Sequence, residues 1–159
     1  MADFFEDSKI KVLLKEEKNI TLEEYNKFSQ LTKQKGSHRE QEVIVTGVSG
    51  AEFVIKLRQN TINFLDFSVI VGYLLPNKTT IFRLRRYNGK SHWHKNKIEK
   101  TGFYDFHIHT ASERYQLLGT DEDYFAEPTD KYSDLATAID VMIKECNIKQ
   151  PQGIQPRLI

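Results

Sequence analysis

Arg83-Leu84-Arg85-Arg86-Tyr87-Asn88-Gly89-Lys90-Ser91-His92-Trp93-His94, followed after a short gap by Phe103-Tyr104-Asp105-Phe106-His107-Ile108-His109-Thr110, is the stretch that decides the fold. Apolar and polar residues alternate here with a period of two, as in strands that cover one face. Asn88-Gly89 is the strongest short hairpin signal, a two-residue turn with both residues at positive φ. It predicts a hairpin that pairs Tyr87 with Lys90, Arg85 with His92 and Arg83 with His94. A second hairpin around Lys100-Thr101-Gly102 would set His92 near His109 and His94 near His107. In that register Arg83, Arg85, Tyr87, His92, His94, Asp105, His107 and His109 share one face. Phe82, Leu84, Trp93, Tyr104, Phe106 and Ile108 take the other face and pack against helices. A slip of one residue in the second hairpin would reverse the facing of the last strand.

Working outward, Ile10, Leu13 and Leu14 recur at helical spacing, and Thr21-Leu22-Glu23-Glu24 is a capping box. It opens a second helix through Tyr25, Phe28 and Leu31 toward Gly36. From Glu42 the period becomes that of strands: Val43–Val45 and Phe53–Leu57 flank a Ser49-Gly50 turn. Ile62 to Leu75 reads as a longer strand closed by Pro76-Asn77-Lys78, and further strands are expected over Thr79–Tyr87, Lys90–Asn96 and Phe103–Thr110. A helix returns at about Ser133–Cys146, with Leu135, Ile139, Met142 and Ile143 on one face. The expected fold class is α+β: N-terminal helices, an antiparallel β-meander of about six strands, and a C-terminal helix. A single domain spans 1–149, with a flexible Pro/Gln/Gly tail over 150–159.

The chain has 159 residues, which suits one domain and needs no covalent staple. Its one cysteine, Cys146, excludes an internal disulfide and a Cys-based zinc cluster. Placed among core residues, it reads as a small hydrophobe. The absence of a membrane-length apolar run and the acidic start, Asp3-Phe4-Phe5-Glu6-Asp7, point to a cytoplasmic protein with no membrane partner. The formal charge of +1 conceals two opposed segments. Arg83 to Lys100 holds seven Lys/Arg against Glu99, whereas Asp121 to Asp134 holds six carboxylates against Lys131.

Four of the five histidines fall in two pairs, His92-Trp93-His94 and His107-Ile108-His109. Residues i and i+2 of a strand point the same way, so each pair aims both imidazoles at one face. Imidazoles titrate near neutrality and serve as an acid and base pair, while guanidinium groups hold phosphate bidentately. Histidine with arginine and no carboxylate cluster suits phosphate binding or phosphodiester chemistry without metal or other cofactor. His92, His94, His107 and His109 are therefore the catalytic candidates, with Arg83, Arg85 and Tyr87 as ligand contacts. The alternative is a metal site: His92-x-His94 followed by Glu99 resembles part of the first cupin motif. It departs from that motif in its glycine spacing and in lacking an evident second motif. A solvated polar face of a meander is the plain alternative. His38 reads as an exposed linker residue.

Phe106-His107-Ile108-His109-Thr110-Ala111-Ser112-Glu113-Arg114-Tyr115-Gln116 resembles a core found in small bacterial proteins of uncharacterised function. The likeness covers Phe82 to about Tyr132 and includes the arginine-rich strand before Asn-Gly. It implies no established activity, but draws attention to Arg114 and Tyr115 as further ligand contacts. The acidic segment after them could fold over the basic one as a gate or nucleic-acid mimic. The first expectation is thus a protein that binds RNA, DNA or a nucleotide on its sheet, in catalytic form a metal-independent ribonuclease-type toxin. The second is a non-enzymatic factor with a protein partner, such as an antitoxin, inhibitor or anti-defence protein. The third is a cupin-like metal enzyme.

Overall fold

Helix α1 (Asp7–Lys15) begins the computed structural model, which describes residues 3–151. It buries Ile10, Leu13 and Leu14, the residues that its spacing puts on one face. After β1 (Lys18–Asn19) comes α2 (Leu22–Lys27), started by the expected capping box. Glu24 N donates to Thr21 Oγ1 at 3.1 Å, and Thr21 N to Glu24 Oε1 at 2.8 Å. The helix is shorter than its sequence pattern. Phe28, Ser29 and Gln30 close it with tight turns onto Tyr25, Asn26 and Lys27, and the next segment becomes β2 (Lys33–Lys35).

The body of the sheet is four antiparallel strands in chain order: β3 (His38–Gly47), β4 (Glu52–Asn60), β5 (Phe67–Leu74) and β6 (Ile81–Asn88). Val43, Val45, Phe53, Ile55, Leu57, Val69 and Val71 line one face, and all are essentially inaccessible. His38 belongs to β3, half-buried, with Nε2 at 3.1 Å from Asp66, so it is no linker residue. Ile62 to Leu65 leave the expected long strand. The Asn60 side chain accepts from the backbone of Ile62 and Asn63 at 2.8 and 2.9 Å, and that local turn competes with strand pairing.

After β6 come two short strands, β7 (His94–Lys95) and β8 (Gly102–Phe103), which pair only with each other. β9 (His107–Thr110) lies directly against β6, and α3 (Glu113–Leu118), a helix the periodicity does not announce, leads to β10 (Ala126–Pro128). The C-terminal helix α4 (Leu135–Glu145) is capped by Asp134 and Thr137, and β11 (Ile148–Lys149) then pairs in parallel with β1. The main sheet runs β10-β9-β6-β5-β4-β3-β1-β11, with β2 beside β3. The expected α+β class holds, with more strands than six. α1 and α4 cover the apolar face, and Cys146 is a free, fully buried core residue beside them. Among the described residues no helix is long and apolar enough to cross a membrane. Of the expected flexible tail, 152–159 lies outside the described residues.

The expected Asn88-Gly89 turn is not there. Asn88 is the last residue of β6, between Ser68 and His107, and Gly89 does not have positive φ. Gly89 serves close approach instead: a Cβ there would fall on the Leu65 carbonyl, with Phe67 Cδ2 at 2.9 Å. β6 therefore has β9, not the His92–His94 segment, as its neighbour. A second departure is a bulge: Val71 pairs with Arg85 and Gly72 with Arg83, leaving Leu84 extra. Parity flips across it. Arg83, Arg86 and Asn88 share the outer face, while Arg85 and Tyr87 turn toward α4.

Candidate functional site

Strand pairing alone brings half of the site together. His109 sits opposite Arg86 and His107 opposite Asn88, so both imidazoles project from the outer face of the sheet. The excursion 89–106 between β6 and β9 then folds back over this face and lowers His94 onto it. The His94 ring lies 4.9 Å from that of His109 and 5.6 Å from that of His107, nearly parallel to the latter. His107 and His109 are 5.0 Å apart, and His92 stands 5.3 Å from His107, edge to face. All four imidazoles converge, although through a fold-back and not through the adjacent hairpins that the sequence suggests.

The excursion is tied down at several points. Asn96 Nδ2 donates to Ala126 O at 2.8 Å while Ala126 N donates to Asn96 Oδ1 at 3.0 Å. Tyr124 Oη donates to Lys95 O at 3.1 Å, and Tyr115 Oη to Glu99 Oε1 at 2.6 Å. Phe103 packs its ring 5.5 Å from both His94 and His107.

These bonds also assign protons. Carbonyl oxygens only accept, so Nδ1–H of His107 donates to Asp105 O at 2.7 Å. Nδ1–H of His109 likewise donates to Asp123 O at 2.9 Å and Tyr124 O at 3.1 Å. The Ala126 pairing fixes the Asn96 amide, so Nε2–H of His94 donates to Asn96 Oδ1 at 2.9 Å. The other ring nitrogens keep their lone pairs, that of His107 receiving Asn88 Nδ2–H at 3.4 Å. Burial lowers all three groups: His107 to about 4 and His109 to about 2, with the Arg86 guanidinium adding to the effect at each. His94 is lowered too, chiefly by burial. Burial thus favours the neutral form of the three inner imidazoles, each donating through one ring nitrogen. His92 alone of the four is exposed.

The arginines are already paired. Arg83 reaches Glu122 at 3.2 Å, Asp121 at 3.4 Å and the fully buried Asp123 at 3.7 Å; Arg86 reaches Asp123 at 3.3 Å. The acidic segment therefore does close on the basic strand, at its arginines. Burial pushes the Asp123 carboxyl up, against the opposing pull of Arg86 and Arg83. Arg85 and Tyr87, expected beside the histidines, instead bind Glu145 of α4 at 3.3 and 2.8 Å, because the bulge turned them to that side. Arg114 pairs with Glu99 at 2.6 Å, and Tyr115 is wholly buried with its ring stacked on Tyr124. Glu99, of the alternative metal set, is engaged by Arg114 and Tyr115. Among the described residues no three His, Cys, Asp or Glu side chains are grouped so as to hold a metal ion.

Sequence reasoning missed Asn88, Asn96, Asp123 and Tyr124 as parts of the site. Asn96 had a signal: it continues the alternation His92-x-His94-x-Asn96. Asp123 had none, since its contacts depend on the bulge in β6. Trp93, expected in the core, is 62% exposed. It lies between exposed His92 and inward-turning His94 in the chain.

Fold and site together define a mixed α/β protein that carries a four-histidine cluster on the outer face of one large sheet, under a pinned excursion. The chain belongs to the family of unknown function DUF6978, whose model matches residues 5–148. No curated protein and no solved structure matches it.

Proposed function

We propose that the protein binds RNA, DNA or a nucleotide through phosphate, at the histidine cluster and the excursion over it. The observation that carries this reading is the convergence of four imidazoles beneath a segment bearing Lys90, Lys95, Lys97 and Lys100. Because Arg83, Arg85 and Arg114 are satisfied by carboxylates, the positive charge left for a phosphate is that of the lysines. Lys95, Lys97 and Lys100 are exposed. Such contacts bind the backbone without regard to sequence and weaken as salt rises. In its catalytic form the same site cleaves RNA without metal. His92, at the surface, is then the group that exchanges a proton with the substrate.

Fluorescence anisotropy of a labelled single-stranded 20-mer, measured over a salt series, tests binding. Lys95→Glu with Lys97→Glu should weaken it at least tenfold and flatten the salt slope. A gel assay of the same RNA tests cleavage. If His92→Ala with His109→Ala leaves both binding and cleavage unchanged, the reading is wrong. The internal pairing of every named arginine favours a second reading, a non-enzymatic factor with a protein partner. Salt-sensitive partner binding without turnover would support it.

A further inference from the structure

Trp93 is the chain's one tryptophan, and its place on the excursion has a use of its own. β7 and β8 pair His94 with Phe103 and Lys95 with Gly102. His94 and Phe103 turn inward onto the imidazole cluster, so alternation sends Trp93, Lys95, Gly102 and Tyr104 outward. Trp93 is 62% and Tyr104 50% exposed. The indole is not loose, because it lies on Gly102. A Cβ there would run into the six-membered ring, with Cε2 at 3.0 Å and Cη2 at 3.2 Å. Glycine is what lets the six-membered ring come this close to the backbone while most of the indole stays exposed. Lys95 shares that side, His92 adjoins it, and Lys97 stands over the Tyr124 ring at 4.9 Å.

An exposed aromatic ring held against Gly102, flanked by cations on a ribbon already fixed by the Asn96–Ala126 and Tyr124–Lys95 bonds, has the elements of a base-stacking platform. We propose that Trp93 stacks on an unpaired base, and that the ligand is a single-stranded polynucleotide. Resting on the phosphate reading above, this narrows its ligand class. In a duplex the bases are already stacked and paired, and a bare polyphosphate has none to offer. Tyr104, at the facing position of the ribbon, provides a second aromatic surface beside the first.

The single tryptophan is its own reporter. Its emission is followed while the intact chain is titrated with a 12-mer single-stranded RNA, the same sequence in DNA, the corresponding duplex, and inorganic polyphosphate. Anisotropy of labelled strands gives affinity in parallel. Both single strands, or RNA alone, should quench the emission, and duplex and polyphosphate should not. An RNA-only response would assign contacts to the 2′-hydroxyl. Trp93→Phe should hold affinity within a few fold, and Trp93→Ala should weaken it about 5- to 150-fold, the range expected for one stacked base. Gly102→Ala is the positional control. It keeps the tryptophan and a strand-compatible backbone but lifts the indole from its seat, so affinity should fall toward that of Trp93→Ala.

If single strands bind with unaltered emission and Trp93→Ala binds as tightly as the parent, stacking is refuted and the phosphate reading survives. Equal quenching by duplex and polyphosphate overturns the inference in favour of charge alone. If no polyanion binds at all, both readings fall together.

Discussion

Asn96→Ala should loosen the site more than any other single truncation outside the histidines. The amide makes four hydrogen bonds: it accepts from His94 Nε2 at 2.9 Å and Ala126 N at 3.0 Å, and donates to Ala126 O at 2.8 Å and Thr101 Oγ1 at 3.1 Å. Asn96 is only 2% exposed, and Ala126 and His94 are buried too. Truncation therefore strands three buried partners, at about 1–3 kcal/mol each. The simple sum is a ceiling, because the ribbon can open and admit water. A loss of about 3 kcal/mol is expected, or roughly 6–12 °C in Tm for a chain of this size. Thermal and urea unfolding give the magnitude, and nitrogen-15 NMR of the imidazoles shows whether His94 keeps its proton on Nε2. Asn96→Asp keeps the acceptor oxygen but turns a carboxylate on Ala126 O, so it should preserve the His94 tautomer while still destabilising. A Tm within about 2 °C of the parent and an unchanged His94 signal for Asn96→Ala would refute the role given to this amide.

Lys18 offers a pH test. It is fully buried, donating to the carbonyls of Leu13, Leu14, Glu16 and Cys146 at 2.7 to 3.0 Å, and burial lowers it from 10.5 to about 8. Between about pH 8 and 10.5 the unfolded chain binds the extra proton, so stability relative to Lys18→Met should rise across that window, by at most about 1.4 kcal/mol per pH unit. A difference between the two proteins that stays flat from pH 7 to 10.5 contradicts the burial of the ammonium. At Gly89, Ala should cost about 1–3 kcal/mol by overpacking against the Leu65 carbonyl, and Asn should cost more. If chemical denaturation instead finds Asn the better tolerated, the position needs positive φ and the close-approach reading fails.

Local chemistry made much of this fold legible. The Thr21–Glu24 capping box, the strand pattern over Val43–Leu57 and the apolar face of the C-terminal helix follow from short-range rules, and all are present. The two His-x-His pairs suggested imidazoles gathering in one place, and the four rings do lie close together. Register was not legible, for two physical reasons. Asn-Gly usually marks a turn, but at Asn88-Gly89 the missing side chain admits the Leu65 backbone, and the strand runs to Asn88 without turning back on itself. The bulge at Leu84 then reversed the facing of Arg85 and Tyr87, and no local pattern foretells an added residue whose cause lies in the neighbouring strand. The pairings of β1 with β11 and of β9 with β10 join segments distant in sequence. The arginines were identified as cations, yet their carboxylate partners come from Asp121–Asp123, Glu145 and Glu99, which only the folded chain brings near.

Because β6 and β9 are antiparallel neighbours, the chain between them is an insert in what would otherwise be an ordinary hairpin. The ladder between β6 and β9 does not run through residues 89–106, yet Gly89 and Asn96 tie that segment to the scaffold, so both must be kept when the rest is redrawn. The histidines divide along the same line. His107 and His109 stay with the sheet, whereas His92, His94 and Trp93 travel with the insert. Exchanging this segment between relatives would replace His92, His94 and Trp93 while His107 and His109 remain in place, so the two halves of the cluster can change separately.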